Sequence, residues 1–575
     1  MARIRKVEIE NFRGIKKFSW VPSAGMNCLI GPGDSGKSSI LDALDFCLGA
    51  RRNIPFSDAD FHRLDVEKPI RIEVTIGELD DGMKSLDQYG LYVRNFDAAT
   101  GNVEDEPEND GETVLTVKLT VGSDLDPVWS LVSERAAAQG QTRNLGWNDR
   151  VRLAPTRIGV MADYHLGWSR GSVLNRVSEE RADASAALAK AARDARAAFG
   201  TDAEQQLGET LQIVAATAKE LGIPVGDAVK AMLDAHSVSF TGGTISLHDE
   251  DGVPLRGLGT GSSRLLVAGL QRKASEQARI ILIDELEYGL EPHRIIRLLG
   301  SLGAKNSPPP LQVFMTTHSP VALRELSGDQ LFVVRAKPDA HEVLAVGTAD
   351  DVQGTIRVCP DAFLAPSIIV CEGASEVGLA RGIDQFRSGQ GKDSISALGV
   401  ALVDSGGGSA DRPFERASPL LALGYRVAVL RDDDKKPTPA TEQAHVNKGG
   451  AVVAWRDGLA LEDELFLSLS DDGVVKLVER AVALHGADLI NEQIKSASGG
   501  TRDLEAVRLE PLLGDISDDT RQLLGKAART KQNSWFKTVT RMEDAAREIV
   551  GPDLEQADEG FRELIERIFS WANNA

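Results

Sequence analysis

The chain has 575 residues, 42% of them hydrophobic and 26% charged, which is ordinary globular composition and room for about two to four domains. Its formal net charge of −21 leaves no overall basic footprint, so any nucleic-acid binding has to come from local patches. Cys28, Cys47, Cys359 and Cys371 form no CxxC pair, which excludes that type of zinc site and points to a reducing compartment.

The opening segment "MARIRKVEIENFRGIKKF" mixes charged and apolar residues from the start. It reads as a first strand and not as a signal peptide. No run of about 18 apolar residues exists, so no membrane span is expected and a cytoplasmic location is the default. "NCLIGPGDSGKSSILDAL" then fits G-x-x-x-x-G-K-[ST], between an apolar strand "MNCLI" and a segment of helical spacing. Gly31, Pro32, Gly33, Asp34, Ser35 and Gly36 form the loop, and Lys37, Ser38 and Ser39 open the helix. In such a loop, backbone N–H groups curl around phosphates, Lys37 reaches the β- and γ-phosphates, and the Ser38 hydroxyl ligates Mg²⁺.

Residues 174–235 read as helical, with the alanine-rich "SEERADASAALAKAARDARAAF". Two readings stand side by side there: a solvated helix packed on its own domain, and a helical insertion used for dimerisation. "ARIILIDELEYGLEPHR" predicts a strand from Ile280 to Ile283 ending in Asp284 and Glu285. In phosphate-loop ATPases an aspartate at this place holds Mg²⁺, and the following glutamate polarises the attacking water. A third apolar run, "LQVFMTTHSP", ends in His318, placed to sense a γ-phosphate. This order, with "IENFRGIKKF" before it, resembles the ABC-type ATPase heads of the SMC and RecF group. The resemblance implies that a signature loop from a second subunit caps the nucleotide. "LRGLGTGSSRLL" matches that place, with Gly259, Gly261 and Ser262, although the usual LSGG wording is absent.

Near residue 350 the chain changes character. "PSIIVCEGASEVGLARGID" predicts a strand from Ser367 to Cys371, a turn at Glu372-Gly373, and a helix carrying Glu376. "YRVAVLRDDDKKP" predicts another strand running into Asp432, Asp433 and Asp434. If extended geometry persists, Asp432 and Asp434 point one way and Asp433 the other, so that Asp433→Ala is the milder change. A carboxylate after one strand and a DxD after another resemble the Toprim fold of topoisomerases, DnaG-type primases and certain nucleases. Its carboxylates bind Mg²⁺ or Mn²⁺ for phosphoryl chemistry.

An ABC-type ATPase head followed by Toprim resembles the OLD (overcoming lysogenization defect) nuclease family, which includes the nuclease subunit of the Gabija anti-phage system. That resemblance covers nearly the whole chain. It implies metal ligands at Glu372 and Glu376 (the E-G-x-x-E segment), at Asp432 and Asp434, and at Glu462 in "LEDELF", with Glu464 as the alternative. It also implies a catalytic lysine in "TKQNSWFKTVTR": Lys537, with Lys531 as the alternative. From Lys526 to Arg541 there are five cationic residues and no Asp or Glu. That run reads either as a basic helix with buried aromatics or as a phosphate-contacting edge. Hard oxygen ligands without a His or Cys cluster favour Mg²⁺ or Mn²⁺, with Ca²⁺ as a second ion, over zinc.

The expected fold class is α/β. Residues 1–170 form the first part of the ATPase head, 171–235 a helical insertion, 236–350 the rest of the head, and 351–575 a Toprim domain ending in helices. The expected function is an ATP-binding and ATP-hydrolysing, metal-dependent DNA endonuclease of phage defence or DNA processing. Expected partners are DNA and a second copy of the chain, with a separate helicase as a candidate that the sequence leaves open. Two rivals remain. A topoisomerase needs a tyrosine nucleophile, and the last tyrosine, Tyr425, precedes the DxD. A DNA-binding ATPase with a non-catalytic Toprim domain is the other.

Overall fold

The computed structural model describes residues 2–50, 54–85, 89–106, 111–159, 165–166, 172–174, 185–220, 231, 247–273, 279–456, 458–530 and 532–573. The chain forms two compact units, Met1–Cys28 with Gly36–Ala322 and Pro338–His341, and Leu29–Ser35 with Leu323–Lys337 and Glu342–Ala575.

The chain opens with strands β1 (Arg3–Phe12), β2 (Ile15–Trp20) and β3 (Met26–Ile30), followed by helix α1 (Lys37–Leu48). Strands β4 (Ile70–Gly77), β5 (Arg94–Asp97), β6 (Asn102–Glu104), β7 (Glu112–Val121) and β8 (Pro127–Leu131) come next. They pair in the order β6-β5-β7-β4-β1-β2, with β8 beside β7. Alternation sets the register. Val7 and Ile9 of β1 lie opposite Val74 and Ile72 of β4, which lie opposite Val117 and Leu119 of β7. A shift of one residue would turn this whole row to solvent. The buried Cys47 thiol of α1 donates to the carbonyls of Ile72 and Val117, both at 3.5 Å, which seats the helix on that face.

Strands β9 (Thr156–Arg157), β10 (Ile280–Ile283) and β11 (Gln312–Thr316) run parallel in the order β11-β10-β9. Their sequences do not alternate, because β10 and β11 are buried along their full length. The polar side chains this buries are compensated: Gln312 donates to the carbonyls of Ile4 and Ser23 and accepts from the Ile4 N–H at 2.7 Å, and Thr316 is bonded to Asp284 and the Glu285 N–H. Of the predicted insertion, helix α2 (Ser185–Glu220) is described. Apart from 172–174 and 231, the rest of 171–235 lies outside the described residues. Helices α3 (Thr260–Lys273) and α4 (Pro292–Leu302) flank β10 in the chain, and β12 (Leu331–Ala336) and β13 (His341–Ala345) follow β11.

The second unit holds four parallel strands, β14 (Ser367–Cys371), β15 (Val400–Asp404), β16 (Arg426–Arg431) and β17 (Ala451–Ala454), in the order β15-β14-β16-β17. The chain steps from β14 to β15 on one side, then returns to β16 on the other. Connections therefore diverge from the C-terminal ends of β14 and β16, the place where open parallel sheets form a ligand crevice. Helix α5 (Ala374–Gly389) follows β14 and α6 (Arg412–Ala422) follows β15. From residue 461 the described chain is helical, including α7 (Leu461–Ser468), α8 (Asp471–His485), α9 (Asp518–Ala528), α10 (Val539–Ala545) and α11 (Glu559–Asn573).

Two packing features matter for the site. A Cβ on Gly378 or Gly382 of α5 would come within 2.6 Å of the Val539 carbonyl or 2.3 Å of the Glu543 carbonyl, so glycine alone lets α5 lie directly on α10. That approach brings the residues just before α10, Lys537 among them, toward the start of α5. Trp535 and Phe536 are fully buried. The Trp535 indole donates to Gln493 Oε1 at 2.8 Å and meets Phe466 edge-on, so these aromatics belong to the core and not to an exposed stacking surface.

Candidate functional site

The phosphate loop joins β3 to α1 as its sequence implies. Gly36 has φ 87°, and a Cβ there would lie 3.2 Å from the His341 ring, so both backbone and space require glycine. Lys37 is buried and Ser38 exposed. The Ser38 hydroxyl donates to Asp284 Oδ1 at 3.0 Å, which puts the two side chains expected to hold Mg²⁺ within reach of one another. The donor set fits a nucleotide-bound Mg²⁺ at this place.

Asp284 and Glu285 leave the end of β10. Thr316 Oγ1 donates to Asp284 Oδ1 at 2.6 Å and accepts from the Glu285 N–H at 2.8 Å, fixing one carboxylate and turning the next residue. Glu285 sits at φ 48° with an exposed side chain. His318 is exposed at the end of β11, its N–H donating to Glu287 Oε1 at 2.7 Å. Three participants carried no sequence signal. Thr316 clamps Asp284. Arg157 sits between α1 and β10, with NH1 2.6 Å from Asp42 and NH2 3.8 Å from Asp284. The fully buried Arg264 of α3 donates to the backbone carbonyls of Asp284, Glu285 and Tyr288. In the signature-like segment, Gly259 precedes α3, Gly261 packs against the Gly289 carbonyl, and the Ser262 hydroxyl accepts from Arg294.

The second cluster lies at the ends of β14 and β16. Register pairs Cys371 with Leu430, so Glu372, one residue further along β14, and Asp432, two residues further along β16, emerge close together. Glu372 Oε2 accepts from the Asp432 N–H at 2.9 Å, and Asp432 Oδ1 accepts from the Leu461 N–H at 2.9 Å. Leu461 begins α7, so this bond draws Glu462 in as well. Glu376, in the first turn of α5, accepts from the Gly373 N–H at 2.8 Å. Both Glu376 and Glu462 are buried. Asp434 is more exposed and its carboxylate faces Arg529, whose NH1 is 3.3 Å from Asp434 and 3.2 Å from Asp463. Lys537 is exposed and close enough to Glu462 to favour that carboxylate's charged form. Lys531 lies outside the described residues.

Two neighbours of these residues do other work. Asp433 does point away, but not to solvent: it is buried, pairs with Arg431 at 2.8 Å and Lys436 at 2.6 Å, and accepts from the Gly458 N–H. Its replacement is therefore not a mild change. Glu464 is fully buried and pairs with Arg456 at 2.7 Å, so it holds α7 in place and does not join the cluster.

Burial and mutual repulsion hold protons on these carboxyls. Glu376 is pushed up to about 8, first by burial and then by Glu462. Asp432 is pushed up to about 9, by burial and then by Glu376, Glu372 and Glu462. Glu372 and Glu462 are also raised, chiefly by burial. Among the described residues no three His, Cys, Asp or Glu side chains form a ready-made metal cage, the carboxylate oxygens being turned to backbone N–H groups. The donor chemistry still fits a hard divalent cation. These are hard oxygen donors gathered where their charged forms repel one another, and a cation relieves that repulsion.

A pH dependence follows. An unfolded carboxyl titrates near 4, whereas folded Glu376 and Asp432 keep their protons to about 8 and 9. Between those limits unfolding releases protons, so stability falls as pH rises through the window and levels off above it. In EDTA the melting temperature should drop between about pH 6 and about pH 9. Mn²⁺ should flatten that drop, and a pH-independent melting temperature in EDTA would contradict the electrostatics.

The phosphate loop, acidic strand end and clamped aspartate define a phosphate-loop ATPase domain. The chain belongs to the family described as AAA domain, putative AbiEii toxin, Type IV TA system, whose model matches residues 26–324. It is similar to the OLD nuclease of Thermus scotoductus, 24% identical over 376 residues covering 60% of this chain, in line with the family resemblance read from the motifs. It is also similar to the DNA replication and repair protein RecF of Chlorobium phaeovibrioides, 34% identical over 58 residues covering 10% of this chain. The chain spans 65% of the OLD nuclease's length and 16% of RecF's. Among solved structures, the SMC head domain from Thermotoga maritima aligns with 60% of this chain and 100% of its own, at 15% identity and a TM-score of 0.27. Among the described residues no helix is long and apolar enough to cross a membrane.

Proposed function

We propose that this chain is an ATP-hydrolysing DNA endonuclease whose second unit is a Toprim-type, divalent-metal-dependent phosphodiesterase serving phage defence or DNA processing. The observation that carries the reading is the meeting of Glu372 with Asp432 at the diverging ends of β14 and β16, with buried Glu376 and Glu462 beside them. Glu372, Glu376, Asp432, Asp434 and Glu462 would hold Mg²⁺ or Mn²⁺. Bound there, such ions would supply an activated water and stabilisation of the leaving oxygen. Two cationic side chains complete the site. Lys537, exposed beside Glu462, offsets charge gathering on the phosphate. Arg529 orients Asp434 from one side and Asp463 from the other.

The likeness to an OLD nuclease supports the same reading, as does an ATPase domain in one chain with the carboxylate cluster. A topoisomerase is disfavoured at Tyr425, which is buried with its hydroxyl donating to the Phe363 carbonyl at 2.6 Å. Assembly of at least two copies is part of the proposal, because an ABC-type site is completed by a partner's signature segment. Exposed Phe199, Leu207, Ile213 and Val214 on α2 offer apolar surface for it.

The test is conversion of supercoiled plasmid to nicked or linear DNA by purified protein. Cleavage in Mg²⁺ or Mn²⁺ and none in EDTA is expected. Uncut plasmid in every metal would leave the non-catalytic reading standing. Lys537→Ala should slow cleavage about 10²-fold with little effect on metal affinity. An unchanged rate would remove Lys537 from the mechanism.

A further inference from the structure

Beside the carboxylates lies the glycine-rich loop "SGGGS", residues 405–409. Gly406, Gly407 and Gly408 follow β15 with φ of 85°, 64° and 104°, a run of left-handed backbone that side chains would strain. The loop is tied to Glu372. The Gly407 N–H donates to the Glu372 carbonyl at 2.9 Å, and the Ser405 hydroxyl donates to the same oxygen at 2.6 Å. Arg412, the first residue of α6, folds back over the loop and donates from NH1 to the Gly407 carbonyl at 3.1 Å. A Cβ on Gly406 or Gly408 would lie 3.7 Å from this guanidinium, at van der Waals contact, so the guanidinium lies directly over the loop.

The acidic neighbours are occupied. Asp404 accepts from the Gly406 N–H at 2.7 Å, and Asp411 accepts from the N–H and hydroxyl of Thr438. Arg412 is exposed and makes no ion pair among the described residues. One of its five donors is spent, and the rest present a planar fork two hydrogen bonds from Glu372.

Resting on the proposed nuclease reading, we infer that Arg412 is a substrate-positioning residue. It grips a phosphodiester next to the scissile one, over a glycine floor that admits the nucleic-acid backbone. A fork of this geometry pairs bidentately with phosphate oxygens, whereas lysine offers a point charge. Its partner is the DNA strand's phosphate and not a base edge, so the contact is independent of sequence.

The test measures duplex binding by anisotropy in EDTA over a range of salt, and cleavage in Mn²⁺ over a range of DNA concentration. Arg412→Ala should weaken binding about 10-fold and lower the slope of log affinity against log salt by about 1. Half-saturation for cleavage should rise in step, with the rate at saturating DNA within about 2-fold. Arg412→Lys should keep the salt slope and recover only part of the affinity. A purely structural role would not change the salt slope. Unchanged slope and half-saturation in Arg412→Ala would overturn the inference while leaving the nuclease reading intact. A parent protein that binds DNA and loses one phosphate contact in Arg412→Ala, yet never cleaves, would support the grip and sink the nuclease. A parent that binds no DNA would overturn both.

Discussion

Asp432→Ala abolishes DNA cleavage while ATP hydrolysis continues: this is the largest effect expected of any single change in the second unit. Asp432 touches every element of the cluster. Its N–H meets Glu372, its carboxylate meets the start of α7, and its charge is opposed by Glu376, Glu372 and Glu462. Alanine there removes a ligand and releases α7 at once. Asp434→Ala should also abolish cleavage but spare the fold, because Asp434 is more exposed and bonded to Arg529. The control between them is Asp433→Ala. It leaves Arg431 buried with Glu442 as its remaining carboxylate partner, so it should cost about 3 kcal/mol of stability. Thermal melts and cleavage assays on the three variants separate the cases. Equal cleavage by Asp432→Ala and the parent would reduce the aspartates to a surface turn.

The second large effect is at the nucleotide. Lys37→Ala should lose ATP binding, since Lys37 supplies the charge that reaches the phosphates. Glu285→Gln should bind ATP and turn it over at least about 10²-fold more slowly, because the amide cannot polarise water as the carboxylate does. The positive φ of Glu285 and the Thr316 clamp on Asp284 are unaffected by that change, so a loss of turnover reports chemistry. Labelled-nucleotide binding and phosphate release distinguish the two variants. Undiminished hydrolysis in both would remove this loop and strand end from the account.

The parts of this structure that were legible in the sequence share a physical cause. Strands buried on both faces are predominantly apolar runs, the occasional polar residue such as Asn27 being hydrogen-bonded locally. Hence "MNCLI", "IILI" and "SIIVC" coincide with β3, β10 and β14 to the residue. Each run ends where a glycine or carboxylate appears, and that is where the functional groups sit. The Asp432–Asp434 alternation was reasoned from an extended chain. The strand in fact stops at Arg431, and a buried pair with Arg431 is what turns Asp433 away.

What was not legible depends on distance. Thr316 and Arg157 reach Asp284 from far along the chain, and no local spacing announces them. Arg529 belongs to a basic run that reads equally well as surface or site until α9 is placed against α7. Gly378 and Gly382 look like helix-weakening residues in sequence. Packed against Val539 and Glu543, they are what allows α5 and α10 to touch. Trp535 and Phe536 sit among cations, and both are in the core, as the buried-aromatic reading of that run expects.

The central claim is that Glu372, Glu376, Asp432, Asp434 and Glu462 form one divalent-cation centre. Iron-directed backbone cleavage tests it most directly. Fe²⁺ loaded in place of Mg²⁺, then exposed to ascorbate and peroxide, cuts the chain only within reach of the bound ion. The account predicts fragments ending near Glu372–Glu376, Arg431–Asp434 and Leu461–Glu462, suppressed by excess Mg²⁺ and lost in Asp432→Ala. Cuts confined to Ser38 and Asp284, or none at all, would contradict it.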